Sequence, residues 1–214
     1  MRFFQWLLDL LYPPKCCFCH KLSREALCPA CRKEIPYTNA ISREQSFPHV
    51  KCCLSPLYYK GHVRDSVLRY KFHGMTGYAS VYGELMGKCI DESGISCDII
   101  SWVPLSRKRF RQRGYNQSEL IARELSGCLG VPCMPLLKKI RHNPAQSGIR
   151  DAARRRANVA GVYRVREGDR PGGKRVLLVD DVVTTGASLS ECARMLREAG
   201  CPAVYAATLA RRKD

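Results

Sequence analysis

The sequence predicts an α/β fold, a mostly parallel sheet flanked by helices, with a small cysteine-rich module ahead of it. Three observations carry this. Residues 98–103 (DIISWV) read as a buried strand, and 176–180 (VLLVD) are a continuous apolar run of the parallel-sheet kind. Segments of helical periodicity lie between and after them, so strands and helices alternate. Residues 15–53 break that pattern with paired cysteines and no long apolar run. The 214 residues are 45% hydrophobic and 26% charged, with 16 Gly and 12 Pro, which leaves enough apolar material for a real core. The same figures exclude a disordered, collagenous or membrane-embedded chain.

In chain order, residues 3–11 place Phe3, Phe4, Leu7, Leu8, Leu10 and Leu11 on a broad apolar face, and Pro13-Pro14 stops that helix. The stretch is too short to span a bilayer, carries Asp9 in its middle and lacks a small-x-small cleavage site, so it is expected to pack on the body of the protein. Residues 54–60 suggest a strand and 62–73 a helix. Residues 78–90 repeat Tyr78, Val81, Tyr82, Leu85, Met86, Cys89 and Ile90 on one helix face. After strand 98–103, Asn116 with Glu119 resembles a helix N-cap ahead of Leu120, Ile121, Leu125 and Leu129. Residues 162–166 suit an edge strand, 176–180 a buried one, 187–199 a helix stopped by Gly200, and 203–209 a last strand. A boundary near residue 53 divides the chain into 1–53, an N-terminal helix and zinc module, and 54–214, the α/β domain.

Two compositional features are abnormal. Lys and Arg number 36 against 19 acids, a formal charge of +17, which favours phosphate-rich partners: nucleotides, nucleic acid or anionic surfaces. The 13 cysteines are an odd number in a chain with no convincing secretion signal, which points to a reducing cytoplasm and not a disulfide scaffold. There, closely spaced cysteines bind metal and scattered ones pack as small apolar groups.

Cys16-x-x-Cys19 and Cys28-x-x-Cys31 form two such pairs. Each CxxC turn presents two thiolates on one side of a knuckle, and two knuckles complete a tetrahedral sulfur site suited to structural zinc. A segment this short cannot bury much core and needs such a staple. Cys17 and His20 are alternative ligands, while Cys52-Cys53 is an adjacent pair without a second partner.

The sharpest motif is residues 176–188, VLLVDDVVTTGAS. A buried strand delivers Asp180 and Asp181 to its C-terminal end, where α/β sheets place ligands. Thr184, Thr185, Gly186, Ala187 and Ser188 then open a helix, whose N–H groups and hydroxyls make a monophosphate cradle. The carboxylates can accept hydrogen bonds from ribose hydroxyls. The pattern is neither GxxxxGK[ST] nor GxGxxG, which disfavours a P-loop or Rossmann cofactor site.

VLLVDDVVTTGAS resembles the 5-phosphoribosyl-1-pyrophosphate (PRPP) signature of type I phosphoribosyltransferases. The wider pattern resembles the ComF family, which includes the GntX-like proteins. It comprises PPKCCFCH with CPAC, KFHG at 71–74, VPLSRKRFRQRGYNQSELIA at 103–122 and QSGIRDAARRRANVAGVY at 146–163, followed by the signature. The departures are Cys52-Cys53 in place of a second cysteine pair, and no Thr before Gln146. The resemblance implies a sheet of phosphoribosyltransferase type and PRPP with magnesium as ligand. It assigns pyrophosphate to the loop from Pro104 to Arg109, hence to Ser106, Arg107 and Arg109, and makes 138–156 a mobile hood. It also implies two functional classes. One is a competence factor for uptake and processing of single-stranded transforming DNA, with competence-machinery proteins as partners. The other is an active transferase moving ribose 5-phosphate from PRPP to an acceptor, with Asp180 and Asp181 offsetting charge on the ring.

The basic residues cluster. Arg107, Lys108, Arg109, Arg111 and Arg113 lie in 104–113 without an acid, and 138–156 adds Lys138, Lys139, Arg141, Arg150, Arg154, Arg155 and Arg156 against Asp151 alone. Read as loops, the two stretches would grip PRPP or single-stranded DNA phosphates, with Phe110 and Tyr115 able to stack on bases and Gln146 and Asn158 as polar contacts.

Overall fold

The computed structural model describes residues 13–39, 44–141, 159–168 and 171–212. The helix expected at 3–11, the contacts expected of Gln146 and Asn158, and the basic residues Arg150 and Arg154–Arg156 lie outside the described residues. The elements are α1 (Pro29–Glu34), β1 (Glu44–Phe47), β2 (Val50–Leu54), β3 (Leu57–Tyr58), α2 (Gly61–Phe72) and α3 (Tyr78–Asp91). They continue with β4 (Ile99–Trp102), α4 (Arg107–Arg113), α5 (Gln117–Leu129), β5 (Leu137–Lys139), β6 (Tyr163–Val165), β7 (Arg175–Val183), α6 (Ala187–Glu198) and β8 (Ala203–Arg211).

The main sheet runs β1-β2-β8-β7-β4, with β3 pairing β8 beyond the end of β2. Every pair is parallel except β1–β2. β7 lies between β8 and β4, so its residues are buried on both faces, and they alternate as a strand requires. Leu177 and Val179 face a core formed with Val63, Val67, Tyr82, Met86, Ile121 and Leu125 of α2, α3 and α5. Val176 and Leu178 face Leu189, Cys192, Ala193 and Leu196 of α6. The helices α3 and α5 approach closely at Gly83, where an added Cβ would stand 2.6 Å from Glu124 Cβ.

Four expectations change in detail. The strand expected at 54–60 is broken: Pro56 has no N–H for a ladder, so β2 ends at Leu54 and β3 resumes at Leu57. The strand expected at 162–166 forms, but it pairs antiparallel with β5 in a separate two-stranded ribbon. The strand expected at 176–180 continues past Asp180 to Val183, so the acidic pair sits within β7 and not at its very end. The basic stretch 104–113 is largely a helix. Ser106 caps α4 by accepting from the Arg109 N–H, and Gly114 closes it at φ 79°. In addition, β2 crosses residue 53 and pairs with β8, so the compositional boundary falls inside a strand of the main sheet.

Candidate phosphoribosyl site and zinc knuckle

Asp180 and Asp181 are adjacent on β7 and are held from opposite sides. Ser118, at the start of α5, donates to Asp180 Oδ1 at 2.8 Å, and the Asp181 N–H donates to the same oxygen at 2.9 Å. Ser118 is in place because Asn116 caps α5, its side chain accepting from the Ser118 N–H. On the other side Lys71, near the end of α2, puts Nζ 2.7 Å from Asp181 Oδ1. Burial raises Asp180 to about 7 and the neighbouring Asp181 charge adds to this, against the opposing effects of Ser118 and Lys71. One carboxylate is therefore poised near neutrality and its neighbour is already ion-paired.

The chain then turns through Thr184, Thr185 and Gly186 into α6. Gly186 adopts φ 67°, and a Cβ there would come within 2.2 Å of the Phe47 ring, so both the backbone and the packing demand glycine. The Thr185 Oγ1 is buried without a hydrogen-bond partner among the described residues. An orphaned hydroxyl beside the first N–H groups of a helix suits an anion. A small cavity of about 30 Å³ lies against Thr184, Gly186, Ala187 and Ser188.

A cavity of about 270 Å³ joins these parts: Asp180, Asp181, Thr184 and Ser188 line it with the cations Lys71, Arg109, Arg113, Lys139 and Arg212. A second cavity of about 820 Å³ lies across Pro104 and Leu105, between α4 and the β5–β6 ribbon. Ser106, Arg107, Lys108, Arg111, Lys138, Arg141 and Arg166 line it with Trp102, Phe110 and Ile140, and Glu119 is its one acid among the described residues. The expected basic cluster is thus divided. On a helix, residues four apart share a face, so Arg109 and Arg113 turn toward the acidic pair while Arg107, Lys108 and Arg111 turn away from it. The pyrophosphate assignment for Ser106 and Arg107 changes accordingly. Ser106 is a buried cap and Arg107 lines the second cavity, so of the three only Arg109 faces the carboxylates. Tyr115 packs at 6.0 Å on Tyr70 and is not placed for base stacking. Sequence reasoning missed Ser118 and Tyr163 as residues of this cavity, placed Lys139 only within the basic stretch 138–156, and Lys71 stood out only as part of KFHG. The Asn116 cap was the signal that could have placed Ser118.

The knuckle is built as its spacing suggests. The sulfur atoms of Cys16, Cys19, Cys28 and Cys31 all lie within 4.8 Å of one another. The Cys28 N–H donates to Cys16 Sγ at 3.5 Å and the Cys31 N–H to Cys28 Sγ at 3.4 Å. Burial opposes ionisation of Cys16, but the backbone amides of Cys28, Cys19 and Phe18 outweigh it and bring its thiol down to about 6. Four converging sulfurs with N–H···S support fit a structural zinc. Cys17, His20, Cys52 and Cys53 stand outside the cluster. Arg69 of α2 donates to the carbonyls of Cys17 and Phe18 at 3.2 and 2.6 Å, tying the knuckle to the helix that carries Lys71. Among the described residues no helix is long and apolar enough to cross a membrane.

Residues 114–214 match the phosphoribosyl transferase domain family and residues 7–44 the double zinc ribbon domain. Fold and site therefore define a protein in which a zinc ribbon precedes an α/β domain of phosphoribosyltransferase type. Competence protein F of Haemophilus influenzae is 30% identical over 213 residues, covering 89% of this chain and 92% of that protein. The chain belongs to the ComF family. Competence protein ComFC of Bacillus subtilis is 28% identical over 146 residues, 66% of this chain and 56% of that protein. DNA utilization protein YhgH of Escherichia coli is 33% identical over 115 residues, 53% of this chain and 49% of that protein. Among solved structures, the glutamine PRPP amidotransferase of B. subtilis superposes with a TM-score of 0.46 at 22% identity, over 66% of this chain and 30% of that one. Adenine phosphoribosyltransferase from Thermoanaerobacter pseudethanolicus gives 0.42 at 17% identity, over 65% and 83%.

Proposed function

We propose that this chain is a PRPP-binding competence factor that handles single-stranded DNA in the cytoplasm. The observation that carries it is the convergence of the acidic pair and the 184–188 turn on one cavity, set beside a larger cavity lined by cations and aromatics. In this reading Thr184, Thr185, Gly186, Ala187 and Ser188 take the 5′-phosphate, and Asp180 and Asp181 accept the ribose hydroxyls. Arg109 lies toward the pyrophosphate end, and magnesium accompanies the pyrophosphate charge. Arg107, Lys108 and Arg111 track DNA phosphates while Phe110, which is 47% exposed, offers a stacking face. Relatives named for competence and DNA utilization support the DNA role.

A second reading, an active phosphoribosyltransferase, is favoured by the intact acidic pair. As pyrophosphate leaves C1 of the ribose, Asp180 and Asp181 would offset the positive charge developing on the ring, and the cations of the cavity would take up the leaving group's charge. Calorimetry with PRPP and Mg²⁺ tests the shared site: binding to the wild-type chain, weakened roughly tenfold or more in Asp181→Asn, is expected. Unchanged affinity in that variant refutes the assignment. PRPP consumption measured with and without single-stranded DNA separates the two readings.

A further inference from the structure

Lys139 ends β5 where the two cavities meet and lines both. Its amine donates to Tyr163 Oη at 3.4 Å and lies 5.1 Å from the centroid of that ring, the two residues being paired across the β5–β6 ribbon. Among the described residues no carboxylate stands within ion-pair distance of it. A largely desolvated ammonium held by a phenol is a costly arrangement unless a charged partner arrives from outside. Tyr163 is 2% exposed, and its hydroxyl is also hydrogen-bonded to the Ser188 side chain. A chain of contacts thus runs from the amine at 139 through the phenol at 163 to the turn that cradles a monophosphate.

We propose that Lys139 reads the second phosphate group of the ligand: with Ser188 on the 5′-phosphate, its amine takes the diphosphate at C1, and Tyr163 joins the two ends. The ligand class is a pentose carrying a monophosphate at one end and a diphosphate at the other. The proposal rests on the phosphoribosyl reading of the cavity.

Charge makes the assignment testable. Burial, with Arg109 adding to it, pushes the amine of Lys139 down to about 8. The groups facing it are Arg109 of α4, Tyr163 of β6, Asp180 of β7 and Cys192 of α6. The Tyr163 phenol and the Cys192 thiol are both pushed far above their usual ranges by burial, so neither changes charge between pH 7 and 9. Asp180, raised to about 7 by burial and by Asp181, also changes charge near this interval, and a variant that keeps the charge at 139 is the control for it. The amine is charged at neutral pH and its charge is lost as pH rises through 8, so affinity for a diphosphate falls over that interval.

The experiment is calorimetry on the full chain with Mg²⁺, using PRPP and ribose 5-phosphate at pH 7 and 9. Lys139→Met should weaken PRPP roughly tenfold at pH 7 while changing ribose 5-phosphate less than about twofold. Lys139→Arg should retain most of the PRPP affinity and show a smaller fall between pH 7 and 9 than wild type, because a guanidinium stays charged and only the Asp180 titration remains. Equal losses for both ligands, or an unchanged PRPP affinity in Lys139→Met, overturn the proposal. Wild-type binding of neither ligand overturns the phosphoribosyl reading itself, and this assignment with it.

Discussion

The two cavities on either side of Pro104 and Leu105 share a wall and differ in almost everything else. The smaller sets two carboxylates among five cations: the acids lie on β7, and the cations come from the end of α2, one face of α4, the end of β5 and the residue after β8. The larger has, among the described residues, one acid and cations from α4, the β5–β6 ribbon and the segments flanking it, together with Trp102, Phe110 and Ile140. Mixed charge in a confined space discriminates among small ligands, because each group must find its complement. One-signed charge along an open groove recognises backbone phosphates without reading sequence. The comparison teaches that net charge alone cannot assign function. The same five cations of 107–113 serve two different environments once a helix distributes them.

The largest expected effect is a double dissociation. Asp181→Asn should cost PRPP roughly tenfold or more and leave single-stranded DNA binding unchanged, because the removed charge faces only the smaller cavity. The triple variant Arg107→Ala, Lys108→Ala, Arg111→Ala should do the reverse. Its log affinity for single-stranded DNA should fall less steeply with log salt, by about 0.7 in slope for each DNA phosphate the variant no longer neutralises. Filter binding at several salt concentrations checks it. A salt-insensitive interaction, or a triple variant that loses PRPP and DNA together, collapses the distinction between the cavities.

Next in size is the effect of the knuckle. Cys28→Ser should abolish the zinc measured by metal analysis, about one per chain in the wild type, and loosen a segment that has little core of its own. Arg69 then loses its carbonyl partners at Cys17 and Phe18, two residues before Lys71. PRPP affinity should drop by roughly two- to fivefold, about 0.4–1 kcal/mol, while DNA affinity holds. Equal weakening of both ligands would mean that the knuckle supports the whole fold and not the smaller cavity in particular.

How much of this was legible in the sequence differs between the same regions. The acidic pair and its turn were legible because one short stretch carries strand, carboxylates, glycine and helix start together, and local chemistry dictates each. The four cysteines were legible by spacing. The basic stretch was misread as a loop because its cations hide a helix whose cap, Ser106, and stop, Gly114, are its only punctuation. Lys71, Ser118, Lys139 and Tyr163 reach the site from four separate elements, and nothing local to any of them announces that convergence.

A third contrast, between the two carboxylates themselves, tests the electrostatics of β7 directly. Asp180 has its carboxyl raised to about 7 by burial and by Asp181, from an ordinary value near 3.8. Because the folded state holds this proton more tightly than the unfolded chain, the stability it contributes is present at low pH and is lost as pH rises through 7. Above that pH the wild-type protein carries a buried charge that Asn does not, and Asn can still accept from Ser118. Asp180→Asn should therefore melt higher than wild type at pH 8, by on the order of 1–2 kcal/mol after the Asp181–Lys71 pair relaxes, or about 2–4 °C per kcal/mol. At pH 5 the gap should be smaller than at pH 8, and it should close only below about pH 4, where the unfolded carboxyl is neutral as well. Asp181→Asn should behave oppositely, melting lower at pH 8 because it leaves Lys71 facing a half-buried site without its anion. Matching shifts in the two variants across this pH range would mean that the two carboxylates share one environment, and the division of roles between them would fail.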